Sequence, residues 1–196
     1  MQDKIIEQIE EKFFREGFYK TTMDEVASEL GMSKKTIYKF FPSKEDLLQA
    51  IAQHFLNGIK SKILSKLNTN KNAIEKLGEL IKILATATQK ATPVRLDEIR
   101  KHYPELWIEI DKFRTKVMLE NITKVIDQGK SEGLFLDYPT VIVMSILVGA
   151  VRNIVTPEFI VNNSFSISEA AQYMLRIVIG GILTEKGKKQ FDKIFN

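Results

Sequence analysis

The chain has 196 residues, sets 29 Lys and Arg against 25 Asp and Glu for a formal net charge of +4, and contains no cysteine. A 44 % hydrophobic content is enough to bury the core of one or two domains, which excludes a disordered chain. Without cysteine there is no disulfide scaffold, zinc ribbon, iron–sulfur site or thiol nucleophile, and the two histidines, His54 and His102, leave little material for a metal site. Residues 1–16 lack the apolar stretch of a secretory signal. The longest apolar run, 141–151, falls short of the roughly 20 residues that span a bilayer. The expectation is a cytoplasmic protein with no membrane partner.

In chain order the pattern reads as helix almost throughout. Ile5, Ile6, Ile9, Phe13 and Phe14 recur at helical spacing, and Gly17 is placed to end that first helix. Thr22 and Glu25 form a capping box for a helix barely two turns long, whose buried stripe is Val26, Ala27 and Leu30 and whose C′ residue is Gly31. Ser33 caps the next short helix, expected to run through Ile37 and Tyr38 to Phe40, with Ile37 and Phe41 turned inward against Val26 and Leu30. Pro42 stops it and Ser43 caps a long helix, with Glu45 and Asp46 in the first turn where the helix dipole favours acids. Two short helices on a tight glycine turn, flanked by longer ones, are what a helix-turn-helix requires.

Charge placement says more than net charge. Residues 1–55 hold eight basic and ten acidic side chains, yet 31–44 hold four lysines and no acid. The second short helix therefore offers Ser33, Lys34, Lys35, Thr36 and Lys39 as donors close to the backbone, suited to phosphate oxygens and guanine edges in a major groove. Residues 56–90 carry seven lysines against Glu75 and Glu79; of these Lys60, Lys62 and Lys66 read either as long-range attraction for DNA or as a solvated face.

The run Thr22-Met23-Asp24-Glu25-Val26-Ala27, then Leu30-Gly31-Met32-Ser33, Thr36-Ile37-Tyr38 and Phe41-Pro42-Ser43-Lys44-Glu45-Asp46-Leu47, resembles the TetR/AcrR family of transcriptional regulators. The resemblance implies an all-α fold, with a helix-turn-helix DNA-binding domain at 1–48 and a helical effector-binding and dimerisation domain at 49–196. It implies phosphate contacts from Thr22, Tyr38 and Lys44, and base-edge or phosphate contacts from Lys34, Lys35, Thr36 and Lys39. Lys35 stands where the family often has glycine or alanine, and Phe40 where histidine is frequent; the first adds charge at the groove and the second removes a phosphate donor.

Further helices are expected at 73–91, 96–102, 105–130 (closed by Gly129 and Gly133), 141–155 and 170–185. A loop is expected at 156–165, and an amphipathic tail with Phe191, Ile194 and Phe195 on one side. The helices around 139–155 and 168–185 are apolar over most of their circumference and suit burial against a second copy, as the resemblance implies for a homodimer reading a palindromic operator. Candidates for an effector pocket are Phe55, Leu84, Arg95, Ile99, His102, Tyr103, Trp107, Phe113, Met118 and Met144, a mainly apolar set with a few polar groups. Arg95, Asp97, Glu98, Arg100 and His102 read more simply as a solvated, salt-bridged turn. No paired carboxylates, nucleophile or phosphate loop stands out, so an enzyme is not expected and no cofactor is implied. The expectation is a ligand-responsive repressor bound to double-stranded DNA and released by a small-molecule effector. The alternative is a helical small-molecule carrier without specific DNA binding, whose function would survive loss of Lys34, Tyr38 and Lys44.

Overall fold

The computed structural model describes residues 1–195, apart from the side chain of Phe195, whose expected place on the apolar side of the tail lies outside the described residues. The first four helices are α1 (Gln2–Glu16), α2 (Met23–Glu29), α3 (Lys34–Tyr38) and α4 (Lys44–Leu67). Their ends are set by local chemistry. Thr22 Oγ1 accepts from Glu25 N at 3.3 Å while the Glu25 carboxylate accepts from Thr22 N at 2.7 Å, closing the capping box of α2. At its other end Gly31 takes φ +60°, and the bonds Met32 N to Ala27 O (3.0 Å) and Gly31 N to Ser28 O (3.2 Å) complete a Schellman motif. Ser33 caps α3, and Ser43 with Asp46 boxes the start of α4. Helix α3 ends two residues before the expected Phe40. Its last turn tightens through Lys39 N to Thr36 O and Phe40 N to Ile37 O, which swings Phe41 into the core ahead of Pro42.

The remaining helices are α5 (Ala73–Lys90), α6 (Pro93–His102), α7 (Pro104–Ser131), α8 (Thr140–Ile154), α9 (Pro157–Asn163), α10 (Ile167–Gly180) and α11 (Glu185–Phe195). Four expectations are corrected. Helix α6 begins at Pro93, not at 96, because Thr92 caps it and proline is preorganised for the first helical turn. Gly129 does not close α7 but lies inside it, where its bare Cα admits the Phe135 ring; a Cβ there would sit 2.1 Å from Phe135 Cδ2. The expected loop at 156–165 contains α9, capped by Thr156 with Pro157 behind it, seated by Ile160 against Ile167 and Ala170, and ended by Ser164 at φ +57°. Helix α10 stops at Gly180 instead of running to 185. The chain there turns so that Leu183 pairs in an isolated antiparallel bridge with Phe135, and Thr184 opens α11.

Two main cores result. The first gathers Ile5, Ile9, Phe13, Phe18, Val26, Ile37, Phe41, Leu47, Leu48 and Ile51, and also takes Ile99 from α6 and Ile110 from α7. The second joins α5, α7, α8, α10 and α11 through Ile74, Leu77, Ile126, Leu134, Leu147, Ile179 and Phe191. Each fully buried side chain of this size contributes about 1.5–3 kcal/mol. Helix α4 joins the two cores, giving Leu47, Leu48 and Ile51 to the first and Ile63 to the second. Among the described residues no single helix is long and apolar enough to cross a membrane.

Candidate nucleic-acid interface and effector cleft

Helix α3 buries Ile37 completely and turns its other side outward, because Ile37 packs in the first core with Val26 and Phe41. Lys34, Lys35, Tyr38 and Lys39 are exposed on that outer side. The cations are not equivalent. Lys34 Nζ lies 2.5 Å from Asp24 Oδ1 on α2, whereas Lys35 and Lys39 have no acidic partner within 4.0 Å among the described residues. The Ser33 and Thr36 hydroxyls are hydrogen-bonded to each other at 2.8 Å, and the Thr22 hydroxyl lies 3.0 Å from the Glu25 carboxylate. Lys44, for which the resemblance implies a phosphate contact, is half-buried. Its ammonium donates to Tyr19 O at 2.8 Å and lies 5.9 Å from the Tyr103 ring centroid; desolvation there pulls its pKa below the ordinary lysine value against the raising effect of Glu45, Glu98 and Glu25.

The turn between α1 and α2 is gripped by α6. Arg95 Nε donates to Phe14 O at 3.0 Å and Nη2 to Arg15 O at 2.7 Å, so the guanidinium caps carbonyls that the end of α1 leaves without helical partners. Nη1 pairs with Glu98 at 3.2 Å, and Glu98 in turn accepts from Tyr19 N at 2.6 Å. Gly17, at φ +118°, makes room: a Cβ would approach Arg95 Nη1 and the Glu98 carboxylate to 3.0 Å. Tyr103 Oη donates to Phe18 O at 3.3 Å, and the His102 ring stacks on Tyr19 with centroids 4.0 Å apart. The charged cluster on α6 is thus not simply a solvated turn. Arg95 and Glu98 brace α6 against the α1–α2 turn, while Arg100 pairs at the surface with Asp97 (3.0 Å) and Glu158 (3.1 Å). Arg95→Ala is expected to lower unfolding free energy by about 2 kcal/mol, the scale of lost hydrogen bonds to a charged group. Urea denaturation with an unchanged m-value checks it.

The ten residues expected to line one effector pocket are divided among the two cores, a groove and a cleft. Leu84 is exposed, Arg95 serves the brace, and Ile99, Tyr103 and Trp107 pack on the first core. Phe113, Met118 and Met144 pack in the second. His102 and Tyr103 border a groove of about 350 Å³ with Glu45, Glu105 and Glu109. Only Phe55 lines the larger opening, a cleft of about 470 Å³ between α4 and α5, within the range of small-molecule sites. The physical reason is that α6 lies against α1 and α7, so its apolar side is spent on the first core.

The cleft is otherwise lined by residues outside that expected set, among them Ile59, Lys62, Lys66, Lys82, Ile83, Ala87 and Lys90. Their signal is the lysine excess of 56–90, but only the packing of α4 on α5 shows that lysines from both helices border one opening. At the end near α1, Glu10 is buried and takes His54 Nδ1 at 2.7 Å together with the Lys90 ammonium, which also reaches Glu11 at 3.0 Å. Burial alone would push Lys90 down, but its hydrogen bonds to Glu10 and Glu11 hold its pKa above the ordinary lysine value.

Helices α8 and α10 pack together and share a bare apolar face. Val141, Ile142 and Ile146 on α8 and Tyr173 and Ile177 on α10 are all more than half exposed, Ile177 at 75 %. A contiguous apolar patch of this kind marks an interaction surface.

Residues 5–51 match the model of the family "Bacterial regulatory proteins, tetR family". Over 177 residues the chain is 21 % identical to the uncharacterised HTH-type transcriptional regulator YvaF of Bacillus subtilis, covering 89 % of this chain and 92 % of that protein. Over 191 residues it is 20 % identical to the HTH-type transcriptional repressor KstR2 of Mycolicibacterium smegmatis, covering 96 % and 93 %. Its fold is shared with the crystal structure of a transcriptional regulator from Cytophaga hutchinsonii at a TM-score of 0.75 and 21 % identity, over 93 % of this chain and 98 % of that one. The chain thus carries a segment similar to the tetR family of bacterial regulatory proteins at 5–51, and shares the fold of a solved transcriptional regulator along nearly its whole length.

Proposed function

We propose that the chain is a ligand-responsive repressor that binds a palindromic operator as a homodimer, with 1–48 reading DNA and 49–196 binding effector and partner copy. The observation that carries it is the outward side of α3, where Lys35, Tyr38 and Lys39 stand clear of side-chain partners among the described residues while Ile37 anchors the helix from behind. Lys34 joins them once phosphate competes with Asp24 for its ammonium. Thr22, Ser33 and Thr36 border the same surface as hydroxyls already engaged locally, and Lys44 acts from the junction by fixing the α1–α2 turn. The bare face of α8 and α10 supports pairing with a second copy, which would set two recognition helices about 34 Å apart, one helical turn of DNA. Repression is supported by the likeness to a repressor. Effector binding shifts the population toward a dimer whose recognition helices no longer match that spacing, with α4 and the Arg95 brace as the rigid connections.

Selection of bound DNA from a random pool tests this reading, followed by titration of the selected site against salt. Specific, steeply salt-dependent binding supports it; no preference over random DNA at moderate salt overturns it. Lys35→Ala with Lys39→Ala is expected to weaken the selected site roughly 100-fold. The same variant should flatten the log–log salt slope by about 1–2, because each phosphate that a lysine neutralises contributes about 0.9. A carrier without DNA function would show no change.

A further inference from the structure

The cleft between α4 and α5 is polar at both ends and apolar between them. Phe55 and Ile59, one turn apart on α4, and Ile83 and Ala87, one turn apart on α5, line its middle. At the end beside α1, Glu10 and Glu11 balance the Lys90 ammonium, and Glu10 also pairs with His54 Nδ1. At the far end the balance reverses. Glu79 is the one carboxylate lining it, and it hydrogen-bonds Lys71 at 2.9 Å from outside the cleft, leaving Lys66 at 3.7 Å and Lys82 at 3.8 Å, both beyond ordinary hydrogen-bond length. Lys62 has no acidic partner within 4.0 Å among the described residues. Three ammonium groups from two helices therefore border an opening whose floor is hydrocarbon, a pattern that neither a neutral apolar molecule nor an inorganic anion fully uses.

We propose that this cleft binds a small anionic amphiphile, with a carboxylate, sulfate or phosphate head on Lys62, Lys66 and Lys82 and an apolar tail along Phe55, Ile59, Ile83 and Ala87. Its role as the effector site rests on the regulator reading above. The tail ends at Phe55, whose ring centroid lies 6.0 Å from the Lys90 ammonium, and Lys90 is the residue that ties α5 to Glu10 and Glu11 of α1. A bound ligand thus touches both the helix that joins the cores and Lys90, whose ion pairs hold α1 to α5.

Calorimetric titration of the full chain without DNA, using octyl sulfate, 1-octanol and octyltrimethylammonium as probes, tests the site. Octyl sulfate is expected to bind one per chain and about tenfold or more tighter than either of the others, the scale of one charge-assisted contact. Lys62→Gln with Lys82→Gln, one lysine from each wall, is expected to lose that advantage, while the charge-matched Lys112→Gln with Lys124→Gln on α7 keeps it. Equal affinity for the three probes, absence of octyl sulfate binding, or equal loss in both variants overturns the proposal. A parallel measurement follows the selected DNA site by fluorescence anisotropy with and without octyl sulfate. Failure of the ligand-free chain to bind any DNA sinks the regulator reading and leaves the calorimetric result for the cleft standing.

Discussion

Ile142→Glu combined with Ile177→Glu is expected to give a folded monomer whose affinity for a full operator is lower by about 10²–10⁴-fold. Both side chains are more than half exposed in the single chain, so glutamate costs the fold little in that state. In a dimer the same positions would be covered, and two carboxylates per chain would meet their symmetry mates in a dry interface. Loss of the second copy matters so much because the second half-site binds at the high effective concentration set by the first, an advantage of about that size that vanishes when the copies separate. Sedimentation equilibrium gives the mass, far-UV circular dichroism the fold, and anisotropy with full and half operators the affinity. A double variant that remains dimeric would remove α8 and α10 as the interface.

Gly187→Ala is expected to destabilise the chain by about 2–3 kcal/mol, although alanine is the better helix former by about 1 kcal/mol. Gly187 lies in the first turn of α11, where its amide donates to Thr184 Oγ1 at 3.1 Å. Thr184 in turn donates its amide to Leu134 O at 3.0 Å and its hydroxyl to Gly133 O at 2.8 Å, so the start of α11 is pinned on the segment between α7 and α8. A Cβ at 187 would lie 2.1 Å from Leu134 O, a backbone atom held by those bonds and unable to yield like a side-chain tip. Gly58→Ala is the matched comparison: it is interior to α4 with nothing within 4 Å of the built Cβ, and the same change there is expected to add up to about 1 kcal/mol. Urea midpoints of the two variants should therefore move in opposite directions.

The contrast between these glycines shows where reading from sequence stops. At Gly31 the reason for glycine is local, a C′ position at φ +60° after a capped two-turn helix, and the residues on either side announce it. At Gly129 and Gly187 the reason is a neighbour five or more residues away, a Phe135 ring or a Leu134 carbonyl, which no period or cap encodes. The same division runs through the candidate functional residues. Ser33, Lys34, Lys35, Thr36, Tyr38 and Lys39 are legible because a capped short helix places them by its own geometry. The candidate effector residues are not. Apolar side chains on five helices look alike until packing assigns Ile99 to one core, Met144 to the other and Phe55 to the cleft.

The sequence by itself determined the capped helices of the N-terminal domain, the concentration of lysine on its second short helix and the all-helical class, because caps, turns and amphipathic periods are interactions within a few residues. Tertiary structure alone decided that Lys44 turns inward to Tyr19, that Arg95 clasps the end of α1 across 80 residues of chain, and that lysines from α4 and α5 border one cleft. The sequence located the lysines, but which of them are partnered, as Lys34 is by Asp24 and Lys44 by Tyr19, was decided only there. Which charges are neutralised and which stay available depends on what packs beside them, and that is a property of the folded contacts between helices, not of any single helix.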